Sequence, residues 1–257
     1  CGMADNAVFV VGGADTQSAL HQTGLSKGDV AIVSGTTSPV VTLIDRKYYD
    51  PQQRVWTDIN LGADGYVIEM NPGVTGLNYQ RLKSNLCPDI SYEELEKAYS
   101  EKTDFCCTAS FSSLLFYERR SLRKGGFFMA SPMADKADRI DMAWAVVADI
   151  ACSIYEQLYR LTALTGFEKK YILACGGGFR SAALCQMVSD LSGLELRMCP
   201  GFEQATVNGL VRLCNGALGY AQSDVSSEYI SYFPRDNQLI HRYHPIWSQN
   251  RMSVNQI

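Results

Sequence analysis

Three times along this chain a short apolar run stops at a bend of small residues. The bends are Gly12-Gly13-Ala14-Asp15, Gly35-Thr36-Thr37 and Gly176-Gly177-Gly178-Phe179-Arg180-Ser181. The runs before them, Ala7-Val8-Phe9-Val10-Val11, Val30-Ala31-Ile32-Val33 and Tyr171-Ile172-Leu173-Ala174-Cys175, are apolar throughout rather than alternating. Strands of that kind are buried on both faces, so the sheet must carry helices on each side. In such sheets ligands bind where strands hand over to helices, because backbone N–H groups and positive helix ends face outward there.

Periodicity places the other elements. A helix is expected from Asp15, ended by Gly24 and Gly28. Residues 29–34, 39–44 and 65–70 read as strands, the second antiparallel to the first, and 75–85 as a helix. Ser91-Tyr92-Glu93-Glu94 is a capping box before a short helix. Lys124-Gly125-Gly126-Phe127 reads as a turn or loop, and the rest of 87–136 shows no clear period. Ile140, Ala143, Val147, Ile150, Ile154, Leu158 and Leu161 recur at steps of three and four, one face of a long helix capped near Asp138 and ended by Gly166. Strands at 171–175 and 194–198 then alternate with helices at 180–191 and 204–218, and the tail after Ser223 is polar and aromatic with little period. From residue 29 to 219 the order is β-β-β-α-insert-α-β-α-β-α. That implies an α/β mixed sheet with helices on both faces, the order of the ribonuclease-H-like module of actin, Hsp70 and sugar kinases. A fold by itself carries no function.

Composition narrows the classes. With 257 residues and 46% apolar content the chain can bury a core, so a disordered chain is excluded. A net charge of −4, from 23 basic and 27 acidic residues, gives no field to hold nucleic acid or an anionic membrane. No apolar run approaches the roughly 20 residues of a spanning helix. The 9 cysteines are odd in number and form no CxxC pair. They read as small buried hydrophobes in a reducing compartment, and a cytoplasmic protein is expected. The vicinal Cys106-Cys107 and the pair His241 and His244 fall short of a ligand set, so no metal-ligating residue is named. No signal peptide opens the chain, and Cys1-Gly2-Met3 reads as the middle of something longer.

Taken singly, each bend has an ordinary reading. Gly35-Thr36-Thr37 could be a hairpin turn, the triple glycine a tight connection, and Asp15 a helix cap. The triple glycine is neither a Walker A loop nor a Rossmann fingerprint. Taken together, with Gln186 and Asp190 beyond the third bend and Gln204-Ala205-Thr206-Val207-Asn208-Gly209 after it, they resemble the FGGY family of carbohydrate kinases. The tail, with Phe233-Pro234, Tyr243 and Trp247, resembles a family ending.

The resemblance implies that Asp15 is the catalytic base, with Gln17 beside it on the acceptor side. It implies that Gly35, Thr36 and Thr37 hold phosphates, and that Gly177, Gly178, Phe179 and Ser181 form the adenosine loop. ATP and Mg²⁺ are the implied cofactors, with the ion held by phosphates and water. A sugar, ketose or polyol is the implied acceptor. Residues 1–26 then form the last strand and helix of a missing N-terminal domain, a necessary partner, and 27–257 the nucleotide-binding domain. A homodimer is also compatible with this reading. The sequence departs from the family pattern at Phe179, where a small residue is usual, and at Gln204, which Glu203 precedes. The stretch 111–120 lacks a Pro-Tyr-Leu pattern, with Glu118-Arg119 as its remnant. Arg119-Arg120 and Arg123-Lys124 read as a solvated basic face, and His21 as a helix-face residue. The alternative is a non-catalytic actin/Hsp70-like module that binds a nucleotide or a protein partner.

Overall fold

The structure, a computed structural model, describes residues 6–61, 64–113, 124–135, 137–166, 168, 170–220 and 228–254. Its centre is β1 (Val30–Val33), which is buried on both sides. Val30 and Ile32 enter the larger core, and Ala31 enters a smaller one on the opposite face. β1 pairs antiparallel with β2 (Val40–Ile44), and β2 with β4 (Tyr66–Met70), the expected meander. On its other edge β1 runs parallel to β7 (Tyr171–Cys175), which runs parallel to β8 (Glu195–Met198). The result is a mixed sheet, as the element order implied.

The two faces are covered by different helices. On one lies α4 (Arg139–Thr165), whose apolar stripe from Ala143 to Leu161 is the largest part of the core, with α5 (Ala182–Ser192) beside it. Asp138 caps α4 by accepting from the Asp141 amide at 2.8 Å, and Gly166 ends it at φ 70°. On the other face lies α1 (Asp15–Thr23), whose Leu20 joins Ala31, Val41, Val67 and Leu173. α6 (Ala205–Ala217) packs directly on α1. The two backbones approach so closely at Gly209 that a Cβ there would lie 1.8 Å from the Ser18 carbonyl oxygen. Only glycine permits that crossing, and the crossing holds the start of α1 in place.

Several expectations are corrected. Residues 7–11 form no strand: Val8, Phe9 and Val11 are 61%, 77% and 91% exposed. An apolar run becomes a strand only against a paired edge, and no strand among the described residues pairs with it. β3 (Trp56–Ile59) was not anticipated, because it is an edge strand on β4 with three of its four residues exposed and no buried face to impose a period. The expected helices at 75–85 and after Ser91 are α2 (Gly76–Leu86) and α3 (Tyr92–Ser100), and the unplaced stretch beyond them holds a hairpin of β5 (Cys107–Ser110) and β6 (Gly126–Met129). Gly126 and Phe127 therefore lie in a strand rather than a loop. The tail is also ordered: β9 (Ile230–Tyr232) pairs with β8, and α7 (Gln238–Val254) buries Ile240, Tyr243, Trp247 and Arg251. The cues at Glu118, Arg119, Arg120 and Arg123 lie outside the described residues.

Cys106 and Cys107 are both free thiols. Burial pushes the Cys107 thiol up to about 12, so thiolate chemistry is suppressed there. Among the described residues no helix is long and apolar enough to cross a membrane.

Candidate functional site

β1 and β7 are parallel neighbours, so their carboxyl ends open side by side at one edge of the sheet. The chain leaves β1 through Ser34 and Gly35, and leaves β7 through Gly176 and Gly177. Opposite them stand Asp15 at the first position of α1 and residues 203–207 at the start of α6. Together these residues line one cleft of about 320 Å³. Asp15, Gly35 and Gly177, drawn from three distant parts of the sequence, are thus brought to the same opening.

The glycines have separate physical reasons. A Cβ on Gly35 or Gly177 would meet nothing within 4 Å, so at both positions the backbone faces open space. Gly176 and Gly178 are different. Gly176 sits at φ 101° with its missing Cβ 2.3 Å from the Ser34 carbonyl oxygen. At Gly178 a Cβ would lie 2.2 Å from the Ser34 Oγ. Those two glycines let the turns after β1 and β7 press together. The Gly178 amide donates to the Ser34 carbonyl at 2.9 Å, and the Ser34 amide to the Cys175 carbonyl at 2.8 Å.

The other residues named from sequence are not among those that line the cleft. Thr36 is exposed beside Gly35, and its carbonyl accepts from the Thr75 amide at 3.0 Å. Thr37 is half-buried and bridges to Val74. Gln17 turns back on its own helix, its Oε1 accepting from the Ala14 amide at 3.1 Å. Ser181 caps α5 by accepting from the Leu184 amide at 3.1 Å. Phe179 is 1% exposed, within the core beneath the turn, so its ring is not available to stack on a ligand in the cleft. Its bulk, out of place in a loop, fits as a core side chain.

Asp15 sits at the positive end of α1, its Oδ1 accepting from the Thr16 amide at 2.8 Å. Burial pushes the nearby Glu69 carboxyl up; the Asn71 amide opposes this, and the negative charges of Asp58 and Asp15 add to it. Sequence reasoning assigned no role to Ser34, Glu203, Gln204 or Thr206, which also line the cleft. The signal for the last two lay in the Gln204–Gly209 motif. Thr206 donates to the Asp15 backbone carbonyl at 3.4 Å and so ties that motif to the start of α1.

The profile of the FGGY family of carbohydrate kinases, C-terminal domain, matches residues 30–218. The chain belongs to this family. A protein of Bacillus subtilis (strain 168) named "Putative sugar kinase YoaC" is 35% identical over 252 residues, covering 97% of this chain and 51% of that protein. Glycerol kinase of Plasmodium falciparum with ADP superposes at a TM-score of 0.73 and 18% identity, over 93% of this chain and 50% of that one. Xylulose kinase of Rhodospirillum rubrum superposes at 0.70 and 16%, over 95% and 51%. At such identities these two structures establish the fold, the actin/Hsp70-like ATPase architecture. The FGGY chain described here spans about half the length of the relatives it matches.

Proposed function

We propose that this chain is the nucleotide-binding half of a carbohydrate kinase that moves the γ-phosphate of ATP to a hydroxyl of a sugar, ketose or polyol. The observation that carries the reading is the cleft shared by Asp15, Gly35 and Gly177. The Asp15 carboxylate takes the proton of the acceptor hydroxyl as its oxygen attacks the γ-phosphorus, and the bond to the β-phosphate oxygen breaks to release ADP. Gln17 braces the helix start that presents this carboxylate. Backbone N–H groups and the hydroxyls of Thr36 and Thr37 hold β- and γ-phosphates. Gly177 lets the nucleoside lie against the backbone, with Gly178, Phe179 and Ser181 anchoring that turn from within.

The cleft suits a phosphate–metal ligand, since both Gly35 and Gly177 leave backbone exposed and the Asp15 and Glu203 carboxylates share the opening. When bound, Mg²⁺ neutralises charge developing on the phosphates, which hold it together with water.

The family relatives are about twice as long as this chain, and the apolar run at 7–11 is exposed. Both features support residues 1–26 as part of an N-terminal domain that carries the acceptor site and would give the run at 7–11 a paired edge, and 27–257 as the nucleotide-binding domain. Transfer needs both domains closed around the two substrates. A cytoplasmic location fits the free thiols.

Calorimetry with ADP tests the reading. The chain alone is expected to bind ADP weakly and to show no sugar-dependent ATP turnover. Gly177→Ala puts a methyl group into the opening without meeting a neighbour. It is expected to weaken ADP about tenfold, about 1.4 kcal/mol, with an unchanged melting temperature. Robust sugar-dependent turnover by this chain alone, or no ADP binding, would refute the reading.

A further inference from the structure

Beneath the bend after β1 lie three hydroxyls with almost no exposure: Ser34 at 1%, Ser38 at 0% and Thr75 at 1%. They form a chain, Ser34 Oγ to Ser38 Oγ at 3.0 Å and Ser38 Oγ to Thr75 Oγ1 at 2.8 Å. Thr75 occupies the N-cap of α2, where a threonine hydroxyl ordinarily accepts from an amide of the first turn. Here it makes no such bond and is committed to Ser38 instead. The ends of the chain reach different turns. At one end the Thr75 amide donates to the Thr36 carbonyl in the bend after β1 at 3.0 Å. At the other, the Ser34 backbone carbonyl accepts from the Gly178 amide at 2.9 Å, and the Ser34 side chain fills the space that a Cβ of Gly178 would take.

Loops at a sheet edge open easily, whereas a buried chain of hydroxyls that each have a partner resists displacement. We propose that the Ser34–Ser38–Thr75 hydroxyl chain is a positioning device that locks the bend after β1 to the turn after β7. It sets their spacing, so that phosphates at Gly35 and a nucleoside at Gly177 are gripped at once. The inference rests on the nucleotide reading for its purpose, while the mechanical coupling of the two turns is a property of the fold. None of the three side chains takes part in the transfer step. They act through the backbone of Gly35, Thr36 and Gly178.

Thr75→Val removes the hydroxyl and keeps the shape; Thr75→Ser keeps the hydroxyl. Amide hydrogen exchange at Gly178, whose amide is held by Ser34 and not by Thr75, reads the coupling on the 257-residue chain. Calorimetry with ADP reads its consequence. Thr75→Val is expected to speed Gly178 exchange and to weaken ADP, each about tenfold, and Thr75→Ser to restore both. Should Thr75→Val fail to fold, Ser38→Ala interrupts the same chain and is read the same way. Unchanged Gly178 exchange in the Val variant, or equal loss in the Ser variant, overturns the proposal. If the unmodified chain binds no ADP, the nucleotide reading falls, and the exchange measurement still decides the coupling.

Discussion

Asp15→Asn in the full-length protein is expected to cut sugar-dependent phosphoryl transfer by about 10²–10⁴-fold, the usual contribution of a positioned base. The asparagine keeps the size of the side chain and an oxygen for the Thr16 amide, now 2.8 Å from Oδ1. What it loses is the ability to take a proton. ADP affinity is expected to stay within about twofold, because the proposed role of Asp15 lies in the transfer step, and a loss confined to the reaction step leaves ground-state binding in place. Stability should fall little, since a carboxylate at an exposed helix start contributes about 0.3–1 kcal/mol. α1 itself is held by its crossing with α6 at Gly209, which the substitution does not touch. Steady-state kinetics and calorimetry on one preparation separate the two effects. A non-catalytic nucleotide-binding module has no transfer to lose, so unchanged transfer, or joint loss of transfer and ADP binding, would remove Asp15 from the role of base.

Asp149→Ala is expected to destabilise the chain by about 3–5 kcal/mol, because it strips a buried charge and leaves its donors unanswered. Asp149 lies at the middle of α4 with 0% exposure. Its Oδ2 accepts from the amides of Phe111 at 3.0 Å and Ser112 at 2.9 Å and from the Ser112 hydroxyl at 3.0 Å. Its Oδ1 accepts from the Trp247 indole at 2.7 Å. One carboxylate therefore ties α4 to the end of β5 and to α7. Burial pushes this carboxyl up, and the Arg251 charge with the surrounding donors pulls it back. Arg251 is itself buried and donates to Ser110 at 2.8 Å, so the same network reaches β5 twice. At about 2–4 °C per kcal/mol for a chain of this size, the melting temperature should drop by roughly 10 °C. Circular dichroism would measure it. A drop of only 1–2 °C, about 0.5 kcal/mol, would mean that α7 is held by its apolar contacts alone.

These two residues differ in how legible they were. The long stripe of α4 could be read because most of its buried positions are apolar and regular, and Asp149, like the buried Ser153 and Gln157, is an interruption that the periodicity passes over. α7 could not be read. Its buried side is Ile240, Tyr243, Trp247 and Arg251, and an interior arginine looks like a surface residue until its partners are known. Residues 7–11 have the composition of a strand, but composition cannot supply the neighbouring edge. At the cleft, the three bends were visible as motifs, yet the sequence treats all their glycines alike. Only the packing separates Gly35 and Gly177, open to the cleft, from Gly176 and Gly178, which are glycine because Ser34 lies against them. Ser34 and Ser38 were visible only as the flanks of the Gly35-Thr36-Thr37 bend and Thr75 only as the start of a helix, since three hydroxyls 4 and 37 positions apart become a chain only when folded.

The most direct measurement is a crystal structure of the chain with ADP. The account predicts density in the cleft of Asp15, Gly35 and Gly177, with phosphates at the amides of residues 35–37 and the nucleoside along Gly177. Nucleotide bound elsewhere, such as the cleft beside Tyr155 and Tyr159 behind α4, with the predicted opening unaltered, would contradict it.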